Sequence, residues 1–305
     1  MIQKIDSVVS QVGQVILGKK HQIRLAIACI LARGHLLIED IPGVGKTMLA
    51  HALATTLGLQ FQRIQFTSDL LPADILGVSI FDREASAFRF HPGPIFAQVI
   101  LADEVNRATP KTQSALLEAM EEHQVTAEGE TRPLPEPFFV IATQNPSHQI
   151  GTFPLPESQL DRFLMRIELG YPDNSAERAL LQGADRRDLL PQLAPCMRAP
   201  ELIELQRAAR EVHASGALLD YLQALVDFSR RSPDYVNGLS PRAALALLNA
   251  ARAWAMMDGR NQVLPEDLQA IVPGVVSHRL YVESDNARIN GADVAEQLIR
   301  AVPIP

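Results

Sequence analysis

The chain has 305 residues, of which 47% are hydrophobic and 21% are charged, and its formal net charge at pH 7 is −7. These are ordinary globular proportions, and the length exceeds that of a typical single domain. The acidic balance disfavours nucleic acid as a partner, and the first residues lack the apolar core of a signal sequence, so we expect a cytoplasmic protein with no membrane insertion.

The first part of the chain alternates between helical periodicity and short apolar runs. Apolar residues recur with helical spacing up to Gly18, and a second helix is predicted over 21–32. A short apolar strand then leads into a glycine-rich loop and a helix over 46–57, and a further helix is predicted over 110–122. The predicted strands are 35–39, 61–66, 99–102, 138–143 and 164–169.

Short strands that alternate with helices predict an α/β fold with a doubly wound, mainly parallel sheet. Beyond Pro172 only helical patterns occur, and several begin with a proline, which is favoured in the first turn of a helix. We therefore expect two domains, an α/β core over 1–172 and an all-helical domain over 173–305. The predicted helices of the second domain are 175–181, 200–213, 218–231, 241–257 and 265–271, and a short final helix is predicted after residue 290.

The strongest local pattern follows the strand at 35–39. Residues 40–47 fit the phosphate-binding loop, except that Asp40 replaces the usual first glycine. Small residues let backbone N–H groups wrap a phosphate at a helix N-terminus, while Lys46 can reach the β- and γ-phosphates and the Thr47 hydroxyl can bind Mg²⁺. A plain glycine-rich turn is the alternative, which the position between strand and helix disfavours. The candidate ATP-binding residues are Asp40, Ile41, Pro42, Gly43, Val44, Gly45, Lys46, Thr47 and Met48.

Acidic and amide side chains end two of the other predicted strands. Asp103 and Glu104 follow the apolar run 99–102, which predicts that Asp103 holds Mg²⁺ and Glu104 orients the attacking water of a hydrolase. Asn145 follows the strand at 138–143, and we place it between that water and the γ-phosphate. Helix capping is the alternative for either acid alone, and a turn before Pro146 is the alternative for Asn145.

With these motifs together, the sequence strongly resembles the MoxR family of AAA+ ATPases over essentially its whole length. The resemblance rests on the segments 39–47, 102–108, 111–121, 141–146 and 160–163, and Asp40 is at home in that family. It implies ATP rather than GTP as the nucleotide, and a homo-oligomeric ring, in this case a hexamer, with ATP at each subunit interface.

The resemblance also implies roles for arginines. Arg162 looks like the finger that reaches a neighbour's γ-phosphate, with Arg107 and Arg166 as lesser candidates, and pairing with Asp161 is the alternative for Arg162. Arg242, in the segment 239–242, is similar to the second sensor, which contacts the nucleotide from the same subunit. Helix capping alone explains the two residues before it.

Two hairpins are predicted within the core, at 78–90 and 124–134. They resemble the insert in the second core helix and the hairpin before the first sensor in MoxR proteins, and both would face the ring's pore or a partner. Ordinary surface hairpins are the alternative.

No metalloprotease or esterase motif occurs, the histidines do not cluster at ligand spacings, and Cys29 and Cys196 are predicted to be reduced thiols. The sequence therefore predicts a ring-forming, chaperone-like ATPase that acts on a protein client. The resemblance implies a partner with a von Willebrand factor A domain, in complex maturation or metal-cofactor insertion. A DNA-acting switch is the alternative, which the lack of a basic recognition helix disfavours, and a nucleotide-regulated scaffold would need Glu104 to be idle.

Overall fold

The computed structural model describes residues 2–84, 86–145, 151–183, 185–282 and 291–304. Its strands, in chain order, are β1 (Leu36–Glu39), β2 (Phe61–Gln65), β3 (Gly77–Asp82), β4 (Ala87–Pro92), β5 (Val99–Asp103), β6 (Gln124–Ala127), β7 (Glu130–Pro133), β8 (Phe139–Gln144) and β9 (Met165–Ile167).

Five of these strands form one sheet, in the order β2-β5-β8-β1-β9. All four pairings between neighbouring strands are parallel. The predicted α/β class with a doubly wound sheet is therefore confirmed. The strands β2 and β9, which have the weakest sequence pattern of the five, are also present. Because the strands are parallel, their carboxyl ends lie along a single edge of the sheet.

The helices, in chain order, are α1 (Ile2–Val15), α2 (Lys20–Leu31), α3 (Lys46–Thr56), α4 (Pro72–Leu76), α5 (Pro110–Glu122), α6 (Glu157–Leu160), α7 (Asn174–Gln182), α8 (Ala199–Glu211), α9 (Gly216–Arg231), α10 (Pro241–Met257), α11 (Pro265–Val276) and α12 (Gly291–Ala301). Short 3₁₀ helices lie at Pro94–Phe96, Val105–Arg107 and Arg186–Gln192. The short helices α4 and α6 were not predicted, since one turn carries no detectable periodicity.

Alternate residues of each sheet strand enter two different apolar cores. Leu36 and Ile38 of β1 face a core built with α1, α2, α3 and the C-terminal helices, whereas Leu37 faces a smaller core that includes α5. This explains why the strands are continuous apolar runs rather than alternating ones, because both faces of the sheet are covered.

Both predicted hairpins are present. The strands β3 and β4 pair antiparallel between α4 and the 3₁₀ helix at Pro94–Phe96, and β6 and β7 pair antiparallel just before β8. The β3–β4 hairpin carries exposed apolar side chains, and the ring of Phe88, which is 73% exposed, meets the ring of Phe81 edge-on at 5.3 Å between centroids.

The elements from α7 onward are helical throughout the described residues, as predicted for the second domain. Three of these helices begin at a side-chain cap, and at α10 the Ser240 hydroxyl accepts the N–H of Ala243 at 3.0 Å. The helices α10 and α11 pack on α2 and β9 of the core. These contacts join the two expected domains and do not define a boundary between them, so the boundary at residue 172 stays a prediction. The helix α11 continues past its predicted end at 271 and through Pro273, where burial against β9 favours continuation.

A buried histidine lies at the amino end of β1. The His35 ring accepts the N–H of Val140 at Nδ1 and donates to the carbonyl of Met120 through Nε2, at 3.1 Å in each case, which requires a neutral ring. Burial lowers the pKa of His35 to about 4; the bond to Met120 opposes this shift and the neighbouring His123 adds to it.

This burial predicts a pH dependence of stability. Below its ordinary pKa of 6.5 the unfolded chain takes up a proton at His35 that the folded chain takes up only near pH 4. Folding free energy is therefore lost as the pH falls through this window, by up to about 3 kcal/mol. Urea unfolding of the wild type and of His35→Gln between pH 7 and pH 4 measures the effect. The variant should lose stability less steeply with falling pH, and parallel curves would contradict the assignment.

Candidate functional site

The phosphate-binding loop connects β1 to α3 at the carboxyl edge of the sheet. Gly43 and Gly45 have φ angles of +86° and +95°, which other residues adopt only at a cost. Neither glycine is needed for space, because a Cβ at Gly43 would meet nothing within 4 Å and one at Gly45 only a side-chain methyl of Ile16 at 3.5 Å. The backbone conformation therefore explains both glycines, as a loop that presents N–H groups to a phosphate requires.

Asp40 connects the start of this loop to the residues that follow β9, the strand that pairs with β1. Its Oδ2 accepts the backbone N–H groups of Leu169 and Gly170, at 2.6 and 2.7 Å, and its Oδ1 accepts the N–H of Ile41 at 2.8 Å. The side chain of Asp40 thus positions the loop, and its contribution to nucleotide binding stays a prediction.

The Lys46 side chain is buried between the phosphate-binding loop and the side chain of Asn145. Its ammonium donates to the carbonyl of Asp40 and, at 3.0 Å, to Oδ1 of Asn145. Burial lowers the pKa of Lys46, an effect that the neighbouring carboxylates of Asp40, Asp103 and Glu104 oppose. The cation therefore lies among the three acids of the site, as expected for a residue that binds phosphate.

Asp103 and Glu104 end β5 as predicted, and they face different partners. Thr143 of β8 donates its hydroxyl hydrogen to Oδ1 of Asp103 at 2.6 Å, and the Glu104 N–H donates to the same hydroxyl at 2.9 Å. Glu104 has a φ of +57°, a strained conformation for a residue with a side chain, which is typical of functional positions. This turn directs the two consecutive carboxylates to separate positions.

The Glu104 carboxylate is held by three neighbours. Oε1 accepts the amide of Asn145 at 3.1 Å, while Oε2 accepts Arg107 at 2.9 Å and Gln65 at 3.3 Å. Asn145 therefore lies between Lys46 and Glu104, and the Asn106 amide donates to its backbone carbonyl at 3.2 Å. The predicted place of Asn145 between the water and the γ-phosphate stays a prediction. Pro146, the last residue of that motif, lies outside the described residues.

Sequence reasoning missed the polar residues Thr143, Arg63 and Gln65. Arg63 of β2 donates to Oδ2 of Asp103 through Nε and Nη2, at 3.0 and 2.6 Å. Their signal in the sequence was that they are polar residues inside otherwise apolar strands. That signal does not show that they meet the acids of β5, because only the strand order places β2 and β8 on either side of β5.

The Thr47 hydroxyl and the Asp103 carboxylate provide oxygen ligands of the kind that Mg²⁺ prefers. No group of three or more histidine, cysteine or acidic side chains suited to a metal occurs in the described part of the chain. A site with few protein ligands fits Mg²⁺ that is bound largely through nucleotide phosphates. The residues present are therefore consistent with the predicted ATP and Mg²⁺, and both assignments remain predictions.

The predicted finger lies at the opposite edge of the sheet. Arg162 donates to the carbonyl of Leu117 at 2.8 Å and pairs with Glu121 at the end of α5 at 2.9 Å. Its alternative partner Asp161 is occupied by Arg279, at 2.6 Å, and by the Ser240 hydroxyl, at 3.1 Å. Pairing with Asp161 therefore does not explain Arg162.

Arg242 requires a correction. It pairs with the same Glu121 and shares with Arg162 a pocket lined by Gly34 and His35, which precede β1, whereas the phosphate loop follows β1. Four residues of strand, about 13 Å, separate the two ends. The predicted contact with the nucleotide of the same subunit is therefore wrong for this conformation. The sequence shows that Arg242 begins a helix but not where α10 docks.

The two lesser finger candidates have partners near the phosphate loop of their own chain. Arg107 pairs with Glu104, and Arg166 pairs with Glu39 at 2.9 Å and Glu168 at 3.0 Å. Neither shares the face that carries Arg162, which leaves Arg162 as the better candidate for a contact with another subunit.

Comparison with known proteins identifies the family of this chain. Residues 35–165 match the family described as "ATPase family associated with various cellular activities (AAA)", and residues 228–300 match an AAA lid domain. Chaperone MoxR1 of Mycobacterium tuberculosis is 37% identical over 100% of this chain and 83% of its own length. The chain belongs to the MoxR family of AAA+ ATPases.

Two further relatives cover the MoxR-family chain almost end to end. The protein YeaC of Bacillus subtilis is 43% identical over 99% of this chain and 95% of its own length. The crystal structure of an ATPase candidate from Cytophaga hutchinsonii superposes with a TM-score of 0.90 at 37% identity, over 100% of this chain and 96% of that one. None of the helices within the described ranges of this MoxR-family chain is long and apolar enough to cross a membrane.

The site predicts that two substitutions separate binding from turnover. Glu104→Gln keeps the hydrogen bond of Asn145 but removes the carboxylate, so ATP binding should persist while hydrolysis falls at least about 100-fold. Lys46→Ala should weaken binding itself. Titration with a fluorescent ATP analogue and a phosphate-release assay measure the two quantities. The control Glu296→Gln, at an exposed position of α12, should change neither quantity. Normal turnover in Glu104→Gln would contradict its role.

Proposed function

We propose that this protein is a Mg-ATP-dependent ATPase that works as a head-to-tail ring and remodels protein clients, as a chaperone of the MoxR type. The observation that carries the proposal is the separation of its charged groups. Lys46 and three acids lie at the carboxyl edge of the sheet, while Arg162 and Arg242 lie together at the amino edge.

The carboxyl edge supports hydrolysis. The loop glycines and Lys46 bind the triphosphate, and Thr47 and Asp103 hold Mg²⁺, which when bound neutralises charge on the phosphates. Glu104 orients and polarises the attacking water, and Asn145, which bridges Lys46 and Glu104, would lie between that water and the γ-phosphate.

The amino edge supports action between subunits. Arg162 and Arg242 share one carboxylate, that of Glu121, so two positive charges are balanced by one negative charge at this position. Three further arginines line the same pocket, and of these Arg33 and Arg210 form no ion pair within the described residues. A basic face at one edge and an acidic, phosphate-binding face at the other are complementary, so copies of the chain associate head to tail. In the proposed hexamer both arginines reach the ATP of the adjacent subunit.

The exposed hairpin β3–β4 supports a protein client. Val78 and Ile80 on one face, and Phe81 and Phe88 on the other, are all exposed, which forms apolar patches on both faces of a two-stranded projection. Such patches mark surfaces that bind other proteins. We propose that this hairpin contacts the client, and that a protein with a von Willebrand factor A domain directs the ring toward complex maturation or cofactor insertion.

Mixing inactive variants tests action between subunits. Arg162→Ala keeps its own Glu104, and Glu104→Gln keeps its own Arg162; each alone should lose turnover, by about a thousandfold for the arginine. In a 1:1 mixture, about a quarter of head-to-tail interfaces combine an intact Glu104 with an intact Arg162. Steady-state phosphate release should therefore return in the mixture. Arg242→Ala mixed with Glu104→Gln should behave in the same way.

The matched control mixes Lys46→Ala with Glu104→Gln. Both changes lie in the same site of one subunit, so every site in the mixture lacks one of the two groups and turnover should not return. Sedimentation must show that each variant assembles. If assembled mixtures with Arg162→Ala or Arg242→Ala stay inactive, the arginine concerned acts within its own subunit, and the head-to-tail proposal loses that support.

A further inference from the structure

Both oxygens of the Asp103 carboxylate already have partners within the chain. Oδ1 accepts the Thr143 hydroxyl at 2.6 Å, and Oδ2 accepts two N–H groups of Arg63 at 3.0 and 2.6 Å. The Asp103 side chain is only 9% exposed, whereas that of Arg63 is 49% exposed. A buried carboxylate without a countercharge is costly, and Arg63 supplies the countercharge from the solvent side.

The position of Arg63 follows from strand register. β2 pairs in parallel with β5 so that Gln65 lies opposite Asp103, and Arg63 is two residues earlier on the same side of the strand. Its guanidinium therefore extends to the carboxyl edge of the sheet, where β5 ends with Asp103, the proposed Mg²⁺ ligand. In the proposed mechanism Arg63 contacts neither ATP nor water.

Arg63 is also connected to the second acid. Its Nη2 donates to Oε1 of Gln65 at 2.6 Å, and the Gln65 amide donates to Oε2 of Glu104 at 3.3 Å. The side chains of Arg63 and Gln65 thus form a hydrogen-bonded connection between Asp103 and Glu104.

We propose that Arg63 is a positioning residue that competes with Mg²⁺ for the Asp103 carboxylate. Arg63 balances Asp103 while no metal is bound, and the metal that accompanies ATP has to take over that carboxylate against a resident cation. Two cations beside one carboxylate repel each other, so Arg63 lowers the contribution of Mg²⁺ to ATP binding. This inference rests on the proposed binding of Mg-ATP.

Nucleotide binding without turnover tests the competition. In a Glu104→Gln background, the dissociation constant of a fluorescent ATP analogue is measured with EDTA and with excess Mg²⁺. The ratio of the two constants reports how much the metal contributes to binding. Arg63→Gln should raise this ratio about two- to fivefold, the range expected for one half-exposed ion pair. Arg63→Lys, which keeps the charge but not the two-pronged contact, should raise it less.

Loss of any positive charge near a nucleotide could alter the same ratio, and Arg107→Gln controls for that effect. The Arg107 side chain is 48% exposed, almost the same as Arg63, but it contacts residue 104 rather than Asp103. Its removal should leave the ratio near that of the background. In a double-mutant cycle, Asp103→Asn should abolish the effect of Arg63→Gln, because the contested carboxylate is then gone.

Three results would overturn the competition: an unchanged or lower ratio in Arg63→Gln, an equal rise in Arg107→Gln, or a rise that persists with Asp103→Asn. Circular dichroism checks that each variant is folded, and Arg63→Lys provides the test if Arg63→Gln unfolds. If the Glu104→Gln protein itself binds no ATP or gains nothing from Mg²⁺, the proposed function fails instead. The two failures are therefore distinguishable.

Discussion

A single hydroxyl group, that of Thr143, holds the two acids of the site in their separate positions. It donates to the Asp103 carboxylate and accepts the backbone N–H of Glu104, so it fixes a side chain and a strained turn together. This depends on β8 lying beside β5 in a parallel sheet, with both carboxyl ends at one edge. The strand order therefore determines which polar groups meet, and the phosphate loop after β1 lies on the far side of the same strand.

The sequence predicted those parts of the molecule that depend on local pattern. Each of the five sheet strands and each loop glycine has a signature within a few residues. The same holds for the helices of three or more turns, except where Pro273 interrupts the pattern of α11. The acids at the end of β5 were equally visible, because an apolar strand that ends in two carboxylates is uncommon in a purely structural role. Asn145 was singled out from its position after a strand, and the structure brings it to Lys46 and Glu104.

The sequence did not predict contacts between residues far apart in the chain. Arg279 and Asp161 are 118 positions apart, and Arg242 and Glu121 are 121 apart. No periodicity or capping signal encodes such pairs, since they depend on how the C-terminal helices dock against the core. The error for Arg242 has this origin: its helix start was recognised, but the face on which that start lies follows from the packing of α10 on α2. Arg63 was overlooked because its partner lies on the neighbouring strand.

The docking of the C-terminal helices also determines the environment of Arg162. Arg279 at the end of α11 is almost fully buried and bonds Asp161 together with the carbonyls of Phe163 and Leu164, while Ser240 at the start of α10 bonds the same Asp161. The residue next to the proposed finger is thus fixed by two helices of the second domain. The basic face is therefore built jointly by the core and by these two helices.

The shared carboxylate of Glu121 has a consequence for a subunit that has no neighbour. Glu121 lies between Arg162 and Arg242 and pairs with both. It therefore occupies the position at which the proposed ring would bring a phosphate to the same two guanidinium groups. In an isolated subunit these two guanidinium groups are therefore already paired with a carboxylate. In the proposed ring, assembly would exchange one anionic partner for another of higher charge, and the face would discriminate a nucleotide-loaded neighbour from an empty one.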